Sequence, residues 1–207
     1  MEDGTGKYIN AIKYLSSLYD YLNQQFFSGV LDKPVLTIQQ DAKNKAFGWF
    51  SVKKVWKETD NDEGQNEINV SAQFLNRPIE QIAGTLLHEM CHQWAYENNF
   101  QDCSRSGLYH NKIFKRIAES HGLSVECVKT FGYAHTELNA KGIAVVAKYV
   151  SENPFVMIYR LPVFKGQNVK STSTRKYVCG CCGNSVRATK CVNIICGDCN
   201  CPMVEEL

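Results

Sequence analysis

Three things are missing from this 207-residue chain. No run approaches the ~20 consecutive apolar residues of a membrane span. The nearest, Gly142 to Val150, is short and contains Lys148, so no membrane partner is expected. The N-terminus, Met1-Glu2-Asp3-Gly4, is acidic and has no apolar signal-peptide core, which points to a cytoplasmic or nuclear protein rather than a secreted one. No Asp or Glu lies between Glu152 and Asp198. There is also no internal repeat and no low-complexity tract.

What is present suits one ordinary domain with a small appendage. A hydrophobic share of 44% with 11% aromatics can supply a packed core. The net charge of +2 predicts nothing alone. Within the carboxylate-free span, however, Arg160, Lys165, Lys170, Arg175, Lys176, Arg187 and Lys190 alternate with Tyr159, Phe164 and Tyr177. Such a stretch can serve phosphates and bases, or it can be a solvated linker and ribbon surface. The ten cysteines cluster in a way that indicates metal rather than disulfides.

The chain is organised around His88-Glu89-Met90-Cys91-His92, in a helix expected from about Ile79 to Tyr96. Residues four apart on a helix lie nearly one above the other, about 6 Å along the axis, so His88 and His92 can share one Zn²⁺. Glu89 sits where it can reach a water at that ion without being a ligand. Ile79, Ile82, Ala83, Leu86, Leu87, Met90, Cys91, Trp94 and Ala95 follow helical spacing, which marks a buried stripe. Pro78 suits the first turn, with Asn76 as its expected cap.

A catalytic zinc has three protein ligands and one open position. Downstream stand Asp102, His110, Glu119, His121 and His135. His110 is best placed, because it opens a second helical pattern with Ile113, Phe114, Ile117 and Ala118, ended by Gly122. Glu119 falls on the polar side of that pattern, and His121 at its end. The Asn/Ser/Gly-rich stretch from Asn98 to Leu108 is long enough to return His110 to the metal. Cys103 lies in it, as a bystander, a ligand or a redox switch.

Before this helix, the spacing predicts a helix over Tyr8 to Phe27 and strands at Val35–Ile38, Phe47–Val52 and Glu67–Ser71. The three strands are expected to form a small sheet against the metal helix. After it, Leu123 to Thr136 is ambiguous, Glu137 to Val150 is helical, Phe155 to Tyr159 is a strand, and Gln167 to Thr174 is a linker. Two C-x-x-C pairs, Cys179/Cys182 and Cys196/Cys199, are separated by a span that fits a hairpin from Ser185 to Ile195. They make a four-cysteine structural zinc ribbon, with Cys181, Cys191 and Cys201 close enough to exchange with a ligand. A segment this short needs the metal to fold.

Together these residues resemble the SprT-like metalloprotease family, which includes the Spartan proteases. The resemblance rests on Leu22-Asn23, Phe26-Phe27 and Gly29, then Leu31 to Pro34, Ala46 to Trp49 and Ile68 to Ser71. It continues with Leu86 to His92, with His110, Phe114-Lys115 and His121-Gly122-Leu123, and with the ribbon from Tyr177 to Cys199. It implies an α+β, zincin-like protease domain over 5–150, a connecting segment over 151–175 and a zinc ribbon over 176–207. By resemblance, His88, His92 and His110 hold a catalytic zinc, a second zinc is structural, and Glu89 is the catalytic glutamate. Better-studied members cleave proteins on DNA, including DNA–protein crosslinks. That makes a protein substrate and DNA, single-stranded by preference, the expected partners. Where the family usually has glycine after the third histidine, this chain has Asn111. It also has no long tail with ubiquitin- or clamp-binding motifs. Tyr109 and Tyr133 are candidates for steadying an oxyanion. Two rival functions are a DNA-binding adaptor with structural zinc only, and a peptidase indifferent to DNA.

Overall fold

A computed structural model describes residues 3–41, 46–161 and 174–206. The chain divides into two compact units, Met1–Pro162 and Val163–Leu207.

The first unit opens with helix α1, Gly4–Phe26. It starts earlier than the apolar pattern suggests because Asp3 caps it, accepting the Gly6 N–H at 2.7 Å. Its inner face is Ala11, Leu15, Leu18, Tyr19 and Leu22, all fully buried. It ends where Ser28 and Gly29 take positive φ (57° and 74°) and the Gly29 N–H folds back onto the Asn23 carbonyl. Strands β1 (Val35–Thr37), β2 (Gly48–Phe50) and β3 (Glu67–Val70) form a sheet in the order β1-β3-β2. The central β3 is buried along its length, parallel to β1 and antiparallel to β2. Buried Glu67 and Asn69 are satisfied by Thr37 and Gln39.

Helix α2, Ile79–Glu97, is the spine. Ile82, Ala83, Leu86, Leu87, Met90, Cys91 and Ala95 are all 0% exposed. Pro78 itself occupies the N-cap position, and no side chain, Asn76 included, caps this helix. Beyond it, β4 (Cys103–Ser104) turns through Arg105, Ser106 and Gly107, all at positive φ, into β5 (Tyr109–His110). Helix α3, Lys112–Ser120, follows. The stretch whose pattern was ambiguous is a hairpin, β6 (Leu123–Val128) and β7 (Gly132–Leu138), and the second sheet runs β4-β5-β7-β6. Helix α4, Ala140–Glu152, begins later than its apolar anchors suggest, because Glu137 and Leu138 finish β7 and Asn139 caps the helix.

The strand expected at Phe155 to Tyr159 is not one: this stretch pairs with no strand among the described residues. Phe155, Met157 and Ile158 are used for packing instead, while Val156 and Tyr159 are exposed. Phe155 stacks on Tyr14 at 4.8 Å, and Met157 packs against the core. No helix among the described residues is long and apolar enough to cross a membrane.

In the second unit, β8 (Arg175–Cys179) is flanked by β9 (Ser185–Ala188) and β10 (Met203–Glu206). The expected hairpin from Ser185 to Ile195 does not form. Ser185–Ala188 pairs back onto β8, and Ile195 bridges Pro202.

One close approach fixes the place of His110. β5 meets β7 in parallel at His110 and Gly132, and Gly132 has φ +68°. A Cβ there would lie 2.1 Å from the His110 carbonyl oxygen, so only glycine fits. Gly132→Ala is therefore expected to destabilise the protein by about 2–4 kcal/mol, measured by denaturant unfolding, and to weaken metal retention along with it.

Candidate metal centre

His88 and His92 project from adjacent turns of α2, and His110 faces them from β5. The expectation that His110 lies inside a helix is corrected: it precedes α3, whose N-cap is Asn111. The Asn111 side chain accepts the Ile113 and Phe114 N–H groups at 2.7 and 3.2 Å and donates to the Gln101 carbonyl at 2.7 Å. Asparagine at this position thus has a task of its own. It starts α3 and ties the incoming loop to it. A polar cap followed by Ile113-Phe114 is an N-terminus signature in the sequence alone.

The three Nε2 atoms converge at 3.1 Å (His88–His92), 3.2 Å (His88–His110) and 3.0 Å (His92–His110). Ligands on a tetrahedral ion at ~2.0–2.1 Å stand about 3.3 Å apart, so these residues fit a zinc ion. The Phe114 ring backs all three imidazoles, with centroids 4.7, 4.5 and 4.6 Å from those of His88, His92 and His110.

The outward nitrogens fix which way the rings point. His92 Nδ1 lies 2.5 Å from Asp102 Oδ2, and His88 Nδ1 lies 2.9 Å from Thr136 Oγ1. When both nitrogens carry the proton to these partners, both Nε2 lone pairs face inward. The Nδ1 of His110 is buried with no partner among the described residues. Burial, then the neighbouring imidazoles, hold the His88 pKa well below its usual value and bring that of His110 down to about 4. Burial is the largest influence on His92 and works against its protonation, but the Asp102 and Cys103 contacts and the charges of Glu89 and Asp102 together outweigh it and carry that residue up to about 10.

Glu89 is 6% exposed, under strand β2. Burial pushes its carboxyl up to about 7, against the opposing pull of His92 and the Phe50 backbone N–H. Gly48 is required by its own sheet: a Cβ on it would lie 2.6 Å from the Asn69 carbonyl oxygen of β3, and at an ordinary contact distance, 3.4 Å, from Glu89 Cγ.

The other downstream candidates stand apart. Asp102 lies behind His92, with Cys103 Sγ 4.0 Å from the same Nδ1. Glu119 pairs with Lys115, and exposed His135 faces Glu137 at 3.8 Å. His121 bonds the Ile117 carbonyl and stacks on Phe27. Tyr133 packs against the core, and Tyr109 lies between Gly132 and Arg105. Asp102 was legible only as a possible ligand. Thr136 and Gly132 carry no signal, because their partners are set by strand register.

In the second unit the Sγ atoms of Cys179, Cys182, Cys196 and Cys199 lie within 4.8 Å of one another. Each pair is a tight knuckle. The Gly183 N–H returns to the Cys179 carbonyl and the Asn200 N–H to the Cys196 carbonyl, with φ of 76° and 50°. The N–H groups of Cys182 and Cys181 pull the Cys179 thiol down to about 6, which favours the thiolate a metal needs. Cys201 Sγ is 3.3 Å from Cys179 Sγ, while Cys181 and Cys191 are exposed.

The basic candidates separate into two groups. Arg175 pairs with Glu205 at 2.9 Å and Lys176 with Glu206 at 2.5 Å, carboxylates that β10 brings across the sheet. Tyr177, offered as a stacking ring, is 4% exposed, with its hydroxyl taking the Val192 N–H. Arg160, Arg187 and Lys190 are exposed. Lys165 and Lys170 lie outside the described residues.

Both donor sets are consistent with zinc, in a mixed α+β protein. Residues 15–130, more than half of the chain, match the model of the SprT-like family. The chain belongs to that family, whose members are generally metalloproteases. No curated protein and no solved structure matches it.

This geometry sets two expected outcomes. Asp102→Asn should weaken zinc binding at the histidine site about 10–100-fold, read by competition with a chromogenic chelator. Stripping metal should abolish amide-exchange protection of β8, β9 and β10, while the α2 core, which has its own apolar packing, stays protected.

Proposed function

We propose that the protein is a zinc-dependent endopeptidase of zincin type, that His88, His92 and His110 are its zinc ligands, and that Glu89 is its general base. The observation that carries this reading is the convergence of three Nε2 atoms beside a buried carboxyl whose pKa is raised to about 7. A carboxylate in that place has no part in a purely structural site. A zinc ion held there supplies Lewis acidity, which polarises a carbonyl and acidifies a water.

The chain's own residues supply the rest. Glu89 takes the proton of the attacking water and hands it to the departing amine. Asp102 and Thr136 hold His92 and His88 in the tautomer and orientation that keep Nε2 inward. Phe114 closes the floor against water. β2 is an edge strand of its sheet, with Phe50 above Glu89. A substrate backbone adds to its open edge as a further strand.

The substrates we propose are DNA-associated proteins, on the strength of the family and of the exposed Arg187 and Lys190. Four cysteines, Cys179, Cys182, Cys196 and Cys199, hold the second zinc. Residues 5–150 then carry the chemistry, 151–175 connect, and 176–207 form the ribbon.

Glu89→Gln should retain zinc at both sites while cleavage of a DNA-bound protein falls by a factor of about 10²–10⁴. Cleavage by that variant at the wild-type rate would refute the assignment of the base. A wild-type rate unchanged by adding single-stranded DNA would remove the nucleic-acid part and leave the peptidase.

A further inference from the structure

Arg77 stands just before α2 and takes no part in the chemistry described above. Its Nε donates to the Phe74 carbonyl at 2.9 Å, and one Nη2–H donates to Thr85 Oγ1 at 3.1 Å. The Phe47 ring lies 4.0 Å from its Cζ. A guanidinium has five N–H donors, and these two are the bonds it makes to described residues. No carboxylate among the described residues faces it; burial alone perturbs it. A partly desolvated, ring-braced cation that meets no anion among the described residues is arranged for one from outside.

Its position relates it to the peptidase site. Thr85, its hydrogen-bond partner, lies one helical turn before Glu89. A Cβ on Gly48 would meet Thr85 Cγ2 at 3.1 Å and Glu89 Cγ at 3.4 Å. Arg77, Thr85, Gly48 and Glu89 are thus consecutive along the path beside β2. β3 pairs antiparallel to β2 on its inner edge. A substrate strand antiparallel on the outer edge runs from Phe50 toward Gly48, Phe47 and Arg77. The part that reaches Arg77 is then on the carboxyl side of the bond over Glu89.

We infer that Arg77 is a specificity site that takes a carboxylate of the substrate, an Asp or Glu side chain or a chain end, on the leaving-group side of the scissile bond. This rests on the peptidase reading and adds the substrate's charge to it.

The test uses the zinc-loaded full chain and three peptides that differ only in Glu, Gln or Lys two residues beyond the scissile bond. Cleavage is measured as kcat/KM, and binding is measured in parallel by fluorescence anisotropy on Glu89→Gln. The Glu peptide should be preferred over the Gln peptide by about tenfold. Arg77→Gln should erase that preference, and Arg77→Glu should reverse it in favour of the Lys peptide, a gain that a misfolded variant cannot give. Equal handling of the Glu and Gln peptides by the wild type overturns the Arg77 assignment and leaves the peptidase standing. Loss of oligonucleotide binding in Arg77→Gln with peptide preference intact assigns the guanidinium to phosphate and also overturns it. A wild type that neither cleaves nor binds any of the peptides overturns both readings.

Discussion

Three imidazole Nε2 atoms held about 3 Å apart form the constraint on which the first unit depends. Their common direction is set by making each ring part of something rigid. His88 and His92 ride on a helix whose opposite face is wholly buried. His110 rides on a two-residue strand pinned by Gly132 on one side and by the Asn111 cap on the other. Phe114, in the first turn of α3 that the cap orders, fills the space behind all three rings. Packing here serves chemistry directly, because the rings' orientation is inherited from the core.

The same logic explains the small residues. Gly48 and Gly132 are places where two backbones or a backbone and a side chain must touch. One seats the edge strand β2, which covers Glu89, against β3, and the other brings β7, with Thr136, up against β5. A carboxyl buried under β2 resists ionisation, which suits the proton-transfer role proposed for it. The ribbon solves a different problem. Forty-odd residues lack the apolar area to fold alone, and its core is largely its own cysteines with Tyr177 and Met203.

Much of this was legible in the sequence, and the parts that were not share a cause. The helix around His88 to His92, its buried stripe, the three strands before it and the two knuckles all follow from local periodicity and spacing. What failed depended on strand pairing and packing that local apolar spacing does not encode. Leu123 to Thr136 carries no clean alternation because β6 is exposed for much of its length. Phe155 to Tyr159 has strand composition, yet Phe155, Met157 and Ile158 found a core before the backbone found a partner strand. Ser185 to Ile195 fits a hairpin by length, but β8 was the better neighbour for its first half. Arg175 and Lys176 read as free cations because no carboxylate is near in sequence, while β10 supplies Glu205 and Glu206 from the far end. Of the three histidines that cluster, the helical pair was evident from its spacing and His110 was suggested by its surroundings. Asp102, Thr136 and Arg77 have functional positions that only register and loop closure reveal.

We propose that His88, His92 and His110 bind one ion through Nε2. Anomalous scattering at the zinc edge from crystals of the full chain would reveal that ion. One peak is expected about 2.1 Å from all three Nε2 atoms, with a separate peak among the sulfurs of the second unit. No peak at the histidines, or an ion held instead by Asp102 and Cys103 on the Nδ1 side of His92, would contradict it.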